Sequence, residues 1–280
     1  MYAVEKANNL LAAMLDNHLQ HGNKLSDYVV TEAGFATDLG AEKFIDIKCR
    51  ITGLKPQAAV IVATAKAVAW HGGARQNGGL ANLQKHIENI KYFGLQPVVA
   101  INRFADDKPA QLRKIVKFCE QQGVEVAVAE HWARGGKGTK EVAEAVLRSI
   151  KANRRRKLKF AYPLSMPLDK KIDTLARNLY GASGVDFDRA AHHDIELLTK
   201  RGFGNLPICV AKTASSLSDI PSERGRPRDF RITVNELRLS AGAGFVVVIA
   251  GNIMTMPGLS KVPTAAKIKV LKDGRAVGLA

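Results

Sequence analysis

Two aromatic residues follow neighbouring predicted strands, at positions where ligands commonly bind. Phe104 comes shortly after the apolar run PVVAI at 97–101, and Trp132 shortly after VEVAVA at 124–129. In open α/β sheets, ligands bind at the carboxyl ends of the strands. Two aromatic faces there could sandwich a flat heterocycle, each contributing about 1–3 kcal/mol by analogy with base stacking. The alternative, that one or both rings simply cap the core, fits the pattern equally well.

Three glycine-rich segments could bring backbone amides close to a phosphate or a carboxylate. They are HGG at 71–73, RGGKGT at 134–139 and SAGAG at 240–244. The phosphate-binding loop of nucleoside triphosphatases requires G-x-x-x-x-G-K-[ST], in which the lysine neutralises charge and the hydroxyl binds magnesium. The RGGKGT segment lacks that spacing. An ordinary turn before a helix at 140–150 explains it at least as well.

These candidate residues belong to an alternation of strands and helices. Strand-like runs at 58–63, 97–101 and 124–129 are separated by amphipathic helical patterns at 80–93 and 109–122. Each helical pattern carries one apolar face and is followed by a glycine. This βαβ series predicts an α/β fold with a mostly parallel sheet and helices on both faces.

The second half of the chain predicts a smaller C-terminal α/β domain. One helix is expected to be capped by Asp169 and to end at Gly181, and another covers about 188–200. Strands are predicted at 206–212, 231–239 and 245–251. The composition changes near 151–160. We therefore predict a helical segment at 1–25, an α/β domain at 26–150 and the C-terminal domain at 151–280.

Composition and charge restrict the class of protein. The net charge of +16 favours anionic partners, but the densest basic run, 154–159, has no recognisable nucleic-acid-binding motif around it. A solvated linker is favoured there. No run approaches the ~20 apolar residues of a membrane-spanning helix, and the N-terminus lacks a secretory layout, so we expect a cytoplasmic protein. The cysteines show no metal-ligand spacing, so no metal site is predicted.

Several long strings together resemble the formate–tetrahydrofolate ligase family, and the resemblance extends over nearly the whole chain. The strings are SDYVVTEAGFATDLGAEKFIDIKCR (26–50), VATAKAVAWHGG (62–73), HIENIKYFGLQPVVAINRF (86–104), GFGNLPICVAKT (202–213) and SAGAGFVVVIAGNIMTMPGL (240–259). The family's enzymes use ATP to make formyl phosphate from formate. They then pass the formyl group to tetrahydrofolate, giving 10-formyltetrahydrofolate, ADP and phosphate. The resemblance implies a P-loop-NTPase-like core and folate, formate and ATP as small-molecule ligands.

The resemblance also assigns a folate site. Phe104 in AINRF and Trp132 in HWARGG match the aromatic residues that stack on the pterin in the family. Phe35 in EAGF and Val128, four residues before Trp132, match apolar positions that line the same cleft.

A nucleotide site is expected on two further segments. Thr64 and Lys66 lie in VATAKAVAWHGG, and Gly242 and Gly244 lie in SAGAG. The family usually has arginine at the position of Lys66, and lysine keeps the charge but loses the bidentate fork.

The sequence departs from the family in one important respect. It lacks the family's phosphate-binding loop and a GGAAGGGY-like stretch, and 24–26 resembles an internal deletion joint. Phosphoryl transfer depends on lysine, Mg²⁺ and backbone amides. We therefore expect a ligase by family, with tetrahydrofolate as substrate and MgATP expected from the family, whose ATP step is impaired.

Two other functions stay open. The chain could be a catalytically inactive folate-binding or partner-binding module, or a basic nucleic-acid-binding protein. We expect a homo-oligomer or pairing with a longer homologue. A membrane is not expected as a partner, and nucleic acid is disfavoured as one.

Overall fold

A computed structural model describes residues 27–73, 78–253, 268–271 and 276–277. The predicted helical segment at 1–25 and the proposed joint at 24–26 lie outside these residues. Among the helices that the structure describes, none combines the length and the apolar character that spanning a bilayer would require.

The first sheet is the predicted parallel sheet, which confirms the α/β class. Its strands are β1 (Ala59–Ala63), β2 (Pro97–Asn102) and β3 (Glu125–Ala129), in the order β1-β2-β3. Both pairings are parallel, so all three carboxyl ends meet at one edge.

Helices follow the strands in the predicted alternation. They are α2 (Ala65–Gly72), α3 (Gly78–Tyr92), α4 (Pro109–Gln121), α5 (His131–Arg134), which continues into a 3-10 turn at Gly135–Thr139, and α6 (Lys140–Asn153). The apolar faces of α3 and α4 bury Val99 and Ile101 of β2. Alternate residues point to the opposite face, where α6 packs along β2 and β3 but leaves Val60 and Val62 of β1 exposed by 43% and 61%. On that face of the sheet, α6 therefore covers β2 and β3 but not the edge strand β1.

One helix was not anticipated by the periodicity. It covers 36–52 (α1), in the consecutive pieces Ala36–Ala41, Phe44–Cys49 and Arg50–Thr52. This helix lies between the two halves of the chain. Thr37 contacts α3 through His86, while Asp46 accepts a hydrogen bond from the backbone nitrogen of Ala161.

The C-terminal half forms a second, mixed sheet around its own core. The strands are β4 (Gly184–Phe187), β5 (Ile208–Ala211), β6 (Arg231–Ser240) and β7 (Phe245–Ala250), in the order β4-β6-β7-β5. Only the β6–β7 pair is antiparallel among these. The helices are α7 (Leu168–Leu175), continuing through Ala176–Tyr180, and α8 (Arg189–Lys200); β8 (Lys269–Val270) pairs with β9 (Ala276–Val277).

The start of α7 corrects one prediction. The cap residue is Pro167, and Asp169 lies inside the first turn, where no side-chain cap hydrogen bond is made. A carboxylate in the first turn still interacts favourably with the positive end of the helix dipole, so Asp169 correctly indicated where the helix begins to within two residues. The predicted end is correct, because Gly181 adopts the left-handed conformation with φ 84°.

Candidate functional site

The loops that follow β2 and β3 are tied together at the carboxyl edge of the first sheet. The backbone nitrogen of Arg103 donates to the carbonyl of Ala129 at 3.0 Å, which extends the β2–β3 ladder by one bond. The next residue, Phe104, donates its backbone nitrogen to the Asp107 carboxylate at 2.8 Å. The backbone that carries the Phe104 ring is thus held by both loops.

Glu130 joins the two loops through its side chain. One carboxylate oxygen pairs with Arg103, and the other accepts from Arg134 at 3.0 Å, one turn along α5. The backbone nitrogen of Glu130 donates to the carbonyl of Gly138 at 2.9 Å, which folds the RGGKGT turn back on the strand end. The hydrogen bonds from Arg134 and Arg103 lower the pKa of Glu130, so it stays ionised.

Both predicted stacking residues are accessible at this edge. Phe104 is 40% exposed, and Trp132, within the short helix fixed by Glu130, is 86% exposed. Exposed side chains this large and apolar are associated with binding surfaces when they occur together. The alternative, that the ring only covers the hydrophobic core, is wrong for Trp132, because almost none of its side chain is buried.

Lys66 brings the loop after β1 to the same place. Its ammonium lies 5.1 Å from the centroid of the Phe104 ring and 3.0 Å from the Asp106 carboxylate. The hydrogen bond from Lys66 lowers the pKa of Asp106. Thr64 has a structural task here, since its hydroxyl accepts from the backbone nitrogen of Ala67 at 2.9 Å and caps α2.

The remaining predicted residues are divided among other locations. Phe35 is 68% exposed just before α1, and its carbonyl accepts from Gly40 at 2.8 Å. Val128 is partly buried against the core of the first sheet. Gly242 and Gly244 lie in the turn between β6 and β7, which belongs to the second sheet. The structure therefore groups Lys66 with Phe104, and it carries the two glycines on a different sheet from Thr64 and Lys66.

A buried network beside Phe35 was missed by the sequence analysis. Asp38, Glu42 and Asp46 follow one another at four-residue spacing on α1, and all three are buried. Burial raises the pKa of Asp38, but the charge and hydrogen bond of Lys212, 2.7 Å away, together with the charges of His86 and Lys43, outweigh burial, and the net shift of the pKa is downward. Three carboxylates at i, i+4 spacing on one helix face are visible in the sequence, and nothing local indicates that this face points inward.

The residues around Asp38 connect α1 to α3. The Thr37 hydroxyl and His86 Nδ1 lie 2.7 Å apart, and Asn89 donates to the same hydroxyl at 3.2 Å. Burial lowers the pKa of His86, which favours its neutral form. Phe35 therefore precedes a turn that is held by buried polar contacts.

A loop of the second half also reaches the first sheet. Asn82 of α3 donates to the carbonyl of Gly225 at 2.8 Å, and Arg226 makes two hydrogen bonds to the Glu88 carboxylate, at 2.9 and 2.7 Å. The guanidinium of Arg224 lies 4.3 Å from the centroid of the Trp70 ring. These contacts place Arg224 beside α2, which also carries Lys66, and Arg226 beside α3.

Asp46 gives the network a measurable pH dependence. Burial and the negative charge of Glu42 raise the pKa of Asp46 from 3.8 to about 7, despite the hydrogen bonds from Ala161 and Arg50. Between those values the folded state binds more protons than the unfolded state, so the free energy of unfolding falls as pH rises. We expect Asp46→Asn to reduce this slope, by up to about 1.4 kcal/mol per pH unit. Urea unfolding of both proteins from pH 4.5 to 7.5 measures the difference, and parallel curves would contradict it.

Across the part of the chain that the structure describes, no group of three or more His, Cys, Asp or Glu side chains is arranged to hold a metal ion. The site is instead composed of two aromatic rings, a lysine and arginine–carboxylate pairs. That composition suits a flat ring with anionic substituents.

Comparison with known protein families gives a match over most of the chain. The family model described as Formate--tetrahydrofolate ligase matches residues 22–280. The matched region contains both sheets and every residue of the candidate site.

Proposed function

This chain belongs to the formate–tetrahydrofolate ligase family, and we propose that it binds tetrahydrofolate at the carboxyl edge of the first sheet, with the pterin between Phe104 and Trp132, while its ATP step is impaired. The observation that carries this proposal is the pair of exposed aromatic rings on loops joined through Glu130. A ring that stacks on both would bury apolar surface that is now in water, at about 1–3 kcal/mol per face.

The chemistry at this edge follows from the family reaction. The N10 nitrogen of tetrahydrofolate attacks the formyl carbon of formyl phosphate, so that a C–N bond forms, the C–O bond to phosphate breaks, and phosphate leaves. The amine proton is released as the amide forms. Lys66, beside Phe104, would be well placed to stabilise negative charge on the leaving phosphate.

The ATP step is the weak part of the reaction. Thr64 and Lys66, with Gly242 and Gly244 on the other sheet, are the proposed nucleotide contacts. Thr64 is already engaged as the cap of α2. The sequence contains no G-x-x-x-x-G-K-[ST] motif, so the usual cradle of amides, lysine and hydroxyl for the β- and γ-phosphates is not supplied. We propose that formyl phosphate synthesis is slow or lost.

A second candidate function shares the folate site. A chain that holds tetrahydrofolate but makes no formyl phosphate would act as a binding module, either as a homo-oligomer or with a longer homologue in the cytoplasm. Val60 and Val62 support an interaction role, since exposed apolar side chains that lie together on a sheet face are typical of interaction surfaces.

Calorimetry with tetrahydrofolate and MgATP, titrated separately into the purified chain, tests the proposal. Folate binding without MgATP binding is the expected result. Binding of both ligands would contradict the impaired ATP step, and absence of folate binding would refute the folate site. Adding formate, MgATP and tetrahydrofolate together then distinguishes a slow ligase from a binding module.

Loss of either aromatic ring should weaken folate binding. Trp132→Ala and Phe104→Ala each remove a stacking face worth about 1–3 kcal/mol, which corresponds to an increase in Kd of about 5- to 150-fold. The matched control is Phe160→Ala, because Phe160 is exposed to nearly the same extent, 39%, and adjoins the amino edge of the first sheet. Titration of tetrahydrofolate into the three variants gives the comparison. Unchanged affinity in both site variants would rule out the aromatic sandwich.

A further inference from the structure

A second charged surface lies at the amino edge of the first sheet, opposite the candidate folate site. We define the basic edge as the exposed residues Lys91, Arg154, Arg155, Arg156, Lys157 and Lys159. The run that contains five of them follows α6 directly, and Lys91 lies in the last turn of α3, just before β2. The run packs against the connection between α3 and β2, where Lys157 and Lys159 adjoin Gly94, so this end of the sheet carries six exposed cations.

The basic edge is held in place and is not a free linker. The backbone nitrogen of Lys159 donates to the carbonyl of Phe93 at 2.9 Å, and that of Arg156 donates to Asn153 at 2.8 Å. Asn153 is buried and makes two hydrogen bonds to the backbone of Gln96. Leu158 packs against both hydrophobic cores. Because the backbone is already fixed, binding through this surface costs little backbone conformational entropy.

The charges of the basic edge are not neutralised within the protein. Over residues 27–73 and 78–253, none of the six forms an ion pair with a carboxylate. Glu125, which begins β3 at the same edge, is engaged by Arg148 at 2.8 Å, and Glu120 at the end of α4 is exposed. Six like charges on one surface attract a polyanion.

We propose that the basic edge binds nucleic acid through its phosphodiester backbone, without sequence preference. Protein partners usually contact an apolar interface centre. Phe160, next to this surface, is partly exposed and has the Arg50 guanidinium 4.0 Å from its ring centroid, so it offers no large apolar patch. A stable membrane contact needs a second anchor besides charge. Binding to phosphates needs neither, and it goes beyond the proposed folate function.

The salt dependence of oligonucleotide binding measures this interaction. We expect the full chain to bind a fluorescently labelled, random-sequence 20-nucleotide RNA in 50 mM salt, with a linear decrease of log K with log salt concentration. The test variant is Arg154→Glu, Arg155→Glu and Arg156→Glu together. Losing three phosphate contacts should weaken binding at least tenfold and reduce the slope by about 2, at about 0.7 per contact with a single strand.

The control variant carries Arg113→Glu, Arg189→Glu and Arg201→Glu, which are exposed positions on α4 and at the two ends of α8. Both variants lose three positive charges and gain three negative ones, so the net charge falls from +16 to +10 in each. The control should keep a slope close to that of the wild type. Equal weakening of the two variants would show that net charge alone acts and would overturn the proposal.

Two further outcomes decide against nucleic acid. The first is no RNA binding by the wild type in 50 mM salt, together with binding to vesicles containing phosphatidylserine, which would indicate an anionic membrane. The second is displacement of the labelled RNA by poly-glutamate as effectively as by unlabelled RNA at the same charge concentration, which would indicate that the surface binds acidic peptides. An Arg154→Gln, Arg155→Gln and Arg156→Gln variant repeats the test without charge reversal. Tetrahydrofolate binding should be unchanged in all variants, so failure here is distinct from failure of the folate site.

Discussion

Replacing Lys212 by methionine should lower the free energy of unfolding by about 3–5 kcal/mol, because it leaves a buried carboxylate without its cation. The Lys212 side chain is inaccessible to solvent, and its ammonium lies 2.7 Å from Asp38 and 2.5 Å from the carbonyl of Ser216. The charge of Lys43 also acts on Asp38, but its ammonium is paired with the Glu42 carboxylate at 2.7 Å. His86 lies 3.8 Å from Asp38, and burial lowers its pKa. A neutral imidazole cannot replace the ammonium charge.

The double variant Lys212→Met with Asp38→Asn separates the contribution of the ion pair from the cost of leaving one buried charge unpaired. Removing both charges should recover part of the loss, since buried ion pairs contribute much less than breaking them costs. The exposed Lys200→Met is the control and should change stability by less than about 0.5 kcal/mol. Urea unfolding of these proteins and of the Asp38→Asn single variant gives the coupling energy of the pair. The buried ion pair would be contradicted if Lys212→Met lowered the free energy of unfolding by less than about 1 kcal/mol. It would also be contradicted if the double variant were no more stable than Lys212→Met.

Gly79→Ala should destabilise the protein by about 3 kcal/mol, because α2 and α3 approach too closely for a side chain. A Cβ atom at Gly79 would lie 1.7 Å from the carbonyl oxygen of Val68 and 2.6 Å from its carbonyl carbon. Both atoms are backbone, so the two helices must separate. The expected cost is at the upper end of overpacking, and it exceeds the ~1 kcal/mol that alanine gains over glycine in a helix.

The measurement is a thermal melt, with an expected decrease in Tm of roughly 6–12 °C. The control is Gly136→Ala, where a Cβ would meet nothing within 4 Å. Its Tm should stay close to that of the wild type. Because α2 begins directly before Lys66, displacement of this helix should also raise the Kd for tetrahydrofolate if that site is formed as proposed. A Tm equal to that of the control would mean that the helices are farther apart than described.

The βαβ order was predictable because each of its signals is local. Residues 109–122 carry one apolar face and stop at a glycine, and α4 is observed at Pro109–Gln121. The positions of Phe104 and Trp132 at the strand ends follow from the same pattern. Whether two such rings face one ligand depends on the loops, which are set by pairings such as Arg103 with Glu130, 27 positions apart.

The buried charges of α1 could not be predicted in the same way. The segment 36–52 carries carboxylates and lysines among its apolar residues, which is the usual composition of a solvated surface helix. Asp38 and Asp46 are buried because their partners, Lys212 and the Ala161 backbone, arrive from the other half of the chain. The same reasoning applies to the run 154–159, which has the composition of a linker and is fixed by Phe93 and Asn153.

The sequence by itself determined the α/β class, the parallel order of the first sheet and the family, since these depend on periodicity, glycine stops and long specific strings. The tertiary structure alone decided which charges are buried, which aromatic rings remain exposed and how the basic run is held. Those properties depend on contacts between residues far apart in the chain. Burial changes the free energy of a charge by several kcal/mol, and no local pattern records it.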